Sequence, residues 1–349
     1  MNFKNKKLSF GILYIGLIVV LCMAGLFYDF SSLFKISNHQ TLNIIFFIFF
    51  LNVIFLPFDF LSDKALNSIK KITFKKILLG KFFILITFLI FSFILITIYE
   101  KKNLYLFVFY CFISQIFLLI LQGKIIKIFL NTEQFSKDSF VLKTSEEYLT
   151  FNIVFSLFKQ MIVIPNHWLK NDDKNLKFHL KRFNIYIKEK IYLKSVCVAS
   201  IINLITYSFI FYYLLDRNHD SLAFIYNFTL ISNIICFFYI LILPQISKKG
   251  ILMIDKRMKN ENELLFQENL EIFERNQDKN DNRNKFVEMI FYPVPSTKSR
   301  MNCEVSNSFG YPNISRIIIF LASCFLSIIF KGVHGNAGKP LNWLLPPSE

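Results

Sequence analysis

The sequence predicts a mainly α, polytopic membrane protein of about seven transmembrane helices with a small cytosolic α+β insertion. Hydrophobic residues make up 54% of the 349 and charged residues only 18%, against about 25% in soluble globular chains. The apolar residues, 44 Phe among them, gather in runs long enough to cross a bilayer rather than spreading at helical spacing. The formal charge is +16, and its cations fall between those runs, where they read as topology signals and not as a phosphate-binding surface. A mean hydropathy of +0.45 excludes a secreted globular enzyme. The bilayer is the first partner, and a nucleic acid is not one.

The runs place spans at 8–27, 41–61, 78–99, 103–122, 193–215, 222–246 and 315–331. The first follows Lys4, Lys6 and Lys7 in the manner of a signal peptide. Its apolar stretch is too long, however, and Leu21-Cys22 lacks the small residue that precedes a cleavage site, so it reads as an uncleaved anchor. Loop charges then orient the chain. The N-terminus carries +3 and residues 63–77 carry +4, while the first loop, with Asp29 and Lys35, is neutral. Residues 123–192 carry +5, and the loop with Asp216, Arg217 and Asp220 carries −1. The alternation suits a bacterial-type cytoplasmic (inner) membrane with the N-terminus and both long insertions inside and the tail 332–349 outside. The resulting regions are 1–122, four spans; 123–192, a cytosolic insertion; 193–246, a two-span hairpin; 247–314, helical and irregular; and 315–349, the last span and tail.

Within the first insertion, residues 148–165 (YLTFNIVFSLFKQMIVIP) contain Lys159 and Gln160 among β-branched residues, and predict two short strands or a membrane-surface hairpin. Residues 174–192 follow the cap-like Asn171-Asp172-Asp173 and put Leu176, Leu180, Phe183 and Ile187 on one face of a cationic amphipathic helix. A second amphipathic helix is expected over 253–278, with Met258, Leu264, Leu265, Leu270 and Phe273 between charges, and irregular chain from Asp278 to Tyr311.

Chemistry-bearing motifs are scarce. The cysteines form no C-x-x-C pair, and all but Cys303 lie in apolar runs, as small buried hydrophobes do. No two of the five histidines sit at i, i+4, so there is no H-E-x-x-H helix to hold zinc. Nucleophile elbows and glycine-rich phosphate loops are absent. Asp59, near the inner end of the second span, is a candidate functional acid, or an acid that faces water or a lysine at the interface. In the tail, His334, Asn336 and Trp343 belong to a turn-rich segment. It reads either as a capped span end with Trp343 as interfacial anchor or as a docking tail for an external partner.

The order of segments resembles the integral-membrane zinc metalloproteases of the CAAX prenyl protease and heat-shock membrane protease type. Leu56-Pro57-Phe58 stands where that family ends a span. Leu157 to Ile164 matches its strand, Trp168-Leu169 and Asn175-Leu176 its helix landmarks, and Pro295 to Met301 its Pro-to-Arg segment, so the likeness covers about residues 45 to 305. The register then puts Arg182-Phe183-Asn184-Ile185-Tyr186 in the place of H-E-x-x-H. Leu252 falls near the family's third-ligand Glu, Asp255 fits the Asp that trails it, and Val294 or Tyr292 replaces the His before Pro.

A zinc hydrolase needs three good ligands, an open position and a base. The resemblance therefore implies a metalloprotease-like fold without metal or cofactor. Such a pseudoenzyme would scaffold, or bind a peptide or another membrane protein in the former cleft, with Arg182, Tyr186, Asp255, Arg300 and Asp59 as cleft candidates and an ion pair between Arg182 and Asp255. Two other readings stay open: an active zinc endopeptidase using His167, His179 and Glu189, and a transporter or channel subunit. The latter would need more intramembrane polar groups than Asp59, Asn203, Asn227 and Asn233 provide.

Overall fold

The computed structural model describes residues 3–66, 74–144, 149–157, 159–170, 172–217, 220–277, 294–302 and 310–332. His219, Tyr292, Cys303, His334, Asn336 and Trp343 lie outside the described residues. Among the described residues the chain is mainly helical with one small sheet, and six helical segments are long and apolar enough to cross a bilayer. It forms two compact units, one of residues 1–116, 201–238 and 319–343 and one of 117–200, 239–318 and 344–349.

The first four spans are α1 (Phe3–Tyr28), α2 (Gln40–Val53) continuing into α3 (Leu56–Leu66), α4 (Phe74–Glu100) and α5 (Leu104–Phe129). The expected helix 41–61 is thus interrupted at Ile54-Phe55. Pro57, which has no amide hydrogen, sits in the first turn of α3, where none is needed. The remaining spans are α7 (Ile191–Leu215) and α8 (Ser221–Ile242).

The run 315–331 is not a seventh crossing helix. It forms α12 (Ile314–Leu321), a 3-10 turn at Ala322–Phe325, a left-handed residue at Leu326 (φ 62°) and a second 3-10 turn at Ile329–Lys331. Eight helical residues rise about 12 Å, well short of the roughly 30 Å hydrocarbon core. Ile317 to Gly332 are buried throughout, so this apolar run faces protein rather than lipid.

Aromatic stacking joins elements within the first unit. Tyr207 lies on Phe325 with ring centres 3.9 Å apart, Phe107 on Phe211 at 4.1 Å and Tyr99 on Phe224 at 4.1 Å. Offset stacking adds about 0.5–1.5 kcal/mol per pair beyond area burial.

The second unit holds the sheet. Its strands are β1 (Thr132–Ser136), β2 (Ser139–Leu142), β3 (Asn152–Ser156) and β4 (Lys159–Pro165), in the order β1-β2-β4-β3, with β2 and β4 parallel and the outer pairs antiparallel. The 148–165 stretch is the β3-β4 hairpin, turned at Leu157 with φ 51°. The β1-β2 hairpin was not legible, because β1 is polar and mostly exposed. Gly123 admits the hairpin against α5: a Cβ there would stand 2.7 Å from the Phe155 carbonyl oxygen.

Among its described residues this unit also holds α6 (Asp173–Lys188), α9 (Pro244–Glu261) and α10 (Glu263–Gln277). The predicted helix 253–278 is two helices broken at Asn262, whose backbone is extended and whose Oδ1 accepts from the Leu265 amide at 3.0 Å. The stretch expected to be irregular contains α11 (Thr297–Met301).

Candidate functional site: a carboxylate held by two arginines

Helix α6 begins with Asp173 in its first turn, where an anion favours the helix N-terminus. Its buried face is Phe178, His179, Arg182, Phe183 and Tyr186, a spacing of i, i+1, i+4, i+5, i+8. The predicted stripe is therefore rotated, since Leu176, Leu180 and Ile187 are only half-buried. A pattern that counts Arg and His as outward-facing misses this, because a cation with a carboxylate partner can lie in the core.

That partner comes from α9. Gly250 lets α9 touch the chain ahead of α12, where a Cβ would stand 2.3 Å from the Pro312 nitrogen. One and a half turns further on, Asp255 is fully buried, at 0% exposure, and Arg182 and Arg300 are each at 2%. Arg182 Nη2 lies 2.8 Å from Asp255 Oδ1. Arg300 donates from Nε to Oδ2 at 2.7 Å and from Nη2 to Oδ1 at 3.0 Å, the bidentate arrangement that suits guanidinium and carboxylate. Arg300 is presented by α11, which Ser296 caps by accepting from the Ser299 amide; Lys259 of α9 donates to the Met301 carbonyl at 3.0 Å.

An aromatic wall lines the same face of α6. His179 stacks on Phe151 with centres 5.1 Å apart and meets Trp168 edge-on at 4.6 Å. Trp168 Nε1 donates to the Leu149 carbonyl at 3.1 Å. Burial, and then the Arg182 and Arg300 charges, push the His179 pKa down from 6.5 to about 3, so the ring is neutral at physiological pH. Phe183 continues the wall against Phe151 and Tyr186.

The structure brings Arg182, Asp255 and Arg300 of the cleft candidates together and buries Phe183 and Tyr186 on the same helix face. Leu252 is half-buried on α9. Asp59 belongs to the other unit, where it is buried and ion-paired with Lys81. The sequence reading missed Arg300 as the second cation on Asp255, and Lys81 as the partner of Asp59. The second pair had a signal, since Lys81 is a lone cation near the start of an apolar span and Asp59 a lone acid near the end of the preceding one.

Chemically, guanidinium groups do not ligate metals, and a carboxylate that accepts two charge-assisted hydrogen bonds from one arginine and is ion-paired with a second is poorly placed to act as ligand or base. His167, His179 and Glu189 are not assembled either. Glu189 pairs with Arg257 at the surface, and among the described residues no three of His, Cys, Asp and Glu stand close enough to hold a metal ion.

These features define a polytopic, mainly helical membrane protein with a small four-stranded sheet and a buried Arg-Asp-Arg cluster in its second unit. No family model matches the chain, and no curated protein matches it. Among solved structures the chain is similar to Ste24p from S. mikatae, at 12% identity and a TM-score of 0.47, over 87% of this chain and 99% of that one. At that identity and score the likeness carries no weight on chemistry or substrate.

Proposed function

We propose that this is a membrane metalloprotease-like protein without hydrolytic activity, a scaffold or a subunit that binds a peptide or another membrane protein where a metal centre would stand. The observation that carries the reading is the occupant of that position. Arg182, at the first residue of the Arg182 to Tyr186 stretch that replaces H-E-x-x-H, is bonded to Asp255, and Arg300 bonds the same carboxylate. A zinc site needs neutral or anionic ligands around an open coordination position; two cations and their counter-ion in the matching stretch support the reading that no such site is kept. The charge alternation between spans supports a bacterial-type inner membrane with the N-terminus inside.

The test is elemental analysis and peptide hydrolysis with detergent-purified protein, beside the variant Arg182→His/Phe183→Glu/Tyr186→His. The native protein is expected to be metal-free and inactive, and the variant to gain zinc. Stoichiometric zinc in the native protein, with chelator-sensitive cleavage of a peptide, would refute the reading.

A further inference from the structure

We infer that residues 314–332 enter and leave the membrane on one side, so that the chain emerges from Gly332 on the same face as the residues ahead of Ser9. The placement of the tail outside rested on 315–331 crossing the bilayer, and the contacts along this segment describe a descent and a return.

The six candidate spans among the described residues bring the chain back to the face it started from. Just past the last of them, Ser247 in the first turn of α9 shares a hydrogen bond with Ser315 at the start of α12, Oγ to Oγ 3.0 Å, and accepts from the Ser315 amide at 3.2 Å. The segment therefore starts beside the inner end of α8.

In the first unit, the middle of the segment reaches the far half of the spans. Tyr110, in the first third of α5, donates to the Cys324 carbonyl at 2.6 Å, and Tyr207, in the last third of α7, stacks on Phe325. Because α5 runs towards the N-terminal face and α7 away from it, both contacts lie beyond mid-depth. The chain then reverses at left-handed Leu326. Asn233, near the middle of α8, accepts from the Ile328 amide at 2.8 Å, and Phe330 meets Phe88 near the middle of α4.

At its end the segment is back near the starting face. Lys331 Nζ donates to Asn52 Oδ1 at 3.1 Å. The Gly332 carbonyl lies so close to Gly11 that a Cβ there would be 2.8 Å from it, and a Cβ on Gly332 would be 2.6 Å from Ile15 Cγ1. Gly11 and Ile15 are the third and seventh residues of the 20-residue apolar stretch Ser9–Tyr28 of α1. Short apolar helices of this length are the ones that serve as re-entrant or buried elements. Non-helical backbone at such depth is tolerated where protein covers it, which matches the complete burial of Ile317–Gly332.

The experiment places an epitope ahead of Met1 in one full-length protein and after Glu349 in another, expresses each in a bacterial inner membrane, and measures antibody access in intact and in permeabilised spheroplasts. Both epitopes are expected to become accessible only on permeabilisation. Both accessible in intact spheroplasts still supports the inference and reverses only the orientation read from loop charge. One accessible and the other protected overturns it. The variants Asn5→Cys and Asn336→Cys, labelled with an impermeant maleimide over the background of the native cysteines, repeat the test without a fused epitope.

Discussion

Replacing Asp255 by Asn removes the one anion between two buried guanidiniums. Two charge-assisted hydrogen bonds from Arg300 and an ion pair from Arg182, at 2.7 to 3.0 Å, converge on it, and without the charge both arginines remain buried with no counter-ion from α9. Breaking a buried pair this way costs about 3–5 kcal/mol. Arg300→Met loses both hydrogen bonds but leaves a matched Arg182–Asp255 pair, at a cost of about 2–3 kcal/mol, and Arg182→Met loses the ion pair alone, about 1–2 kcal/mol. The triple variant Arg182→Met/Asp255→Leu/Arg300→Met buries no charge and is expected within about 1 kcal/mol of the native protein, or above it. Thermal unfolding followed by Trp168 emission, in a Trp343→Phe background, reads all four in detergent. An Asp255→Asn protein as stable as the native one, or a triple variant weaker than that single change, would refute the charge argument.

Three other outcomes follow from the structure. His179 titrates near 6.5 in the unfolded chain and at about 3 when folded. The unfolded state therefore binds the extra proton first, and stability falls by about 1.4 kcal/mol per pH unit as pH drops through that window; His179→Phe should flatten the slope between pH 6.5 and 5, and an unchanged slope would exclude it. Gly250→Ala meets the Pro312 nitrogen at 2.3 Å and should cost about 3 kcal/mol or more, as overpacking against backbone does; unaltered melting would show that the chain ahead of α12 can withdraw. Asp59→Asn leaves Lys81 buried without its acid and should lower the yield and melting temperature of extracted protein. Lys81→Met should restore most of that loss, and no rescue would mean that the two do not act as a pair.

The six crossing helices were legible because each exposes apolar side chains to lipid over a full bilayer width, a signal that needs no knowledge of neighbours. The run 315–331 carries the same composition for another reason, since it is covered by protein, and hydropathy cannot tell a lipid environment from a protein one. Residues 174–188 gave the helix but not its face, because burial of Arg182 depends on a carboxylate 73 positions later in the chain. The β1-β2 hairpin was invisible for the opposite reason. Thr132, Glu133, Gln134 and Ser136 have no hydrophobic alternation, and β1 exists by pairing with β2, whose own residues are buried.

The Arg-Asp-Arg cluster is better understood as fixing register than as adding stability, because well-packed apolar residues would be as stable. Its clearest dependent is α11. Five residues are far too few to hold a helix alone, and α11 is kept by the Ser296 cap, by Lys259 on the Met301 carbonyl and by Arg300 on Asp255. Removing the last of these should release α11 while leaving α6 and α9, of 16 and 18 residues, largely in place. Hydrogen exchange on Arg300→Met is therefore expected to show amides 299–302 opening much faster than in the native protein, with the buried turns of α6 around Phe178 and of α9 around Ile254 still protected. Equal protection across all three helices would mean that α11 is held by packing of Val294 and Pro295, which are buried just ahead of it, and that the ion pair fixes nothing. Uniform loss of protection would make the cluster a stabilising element of the whole unit, and the apolar triple variant should then be far less stable than the native protein.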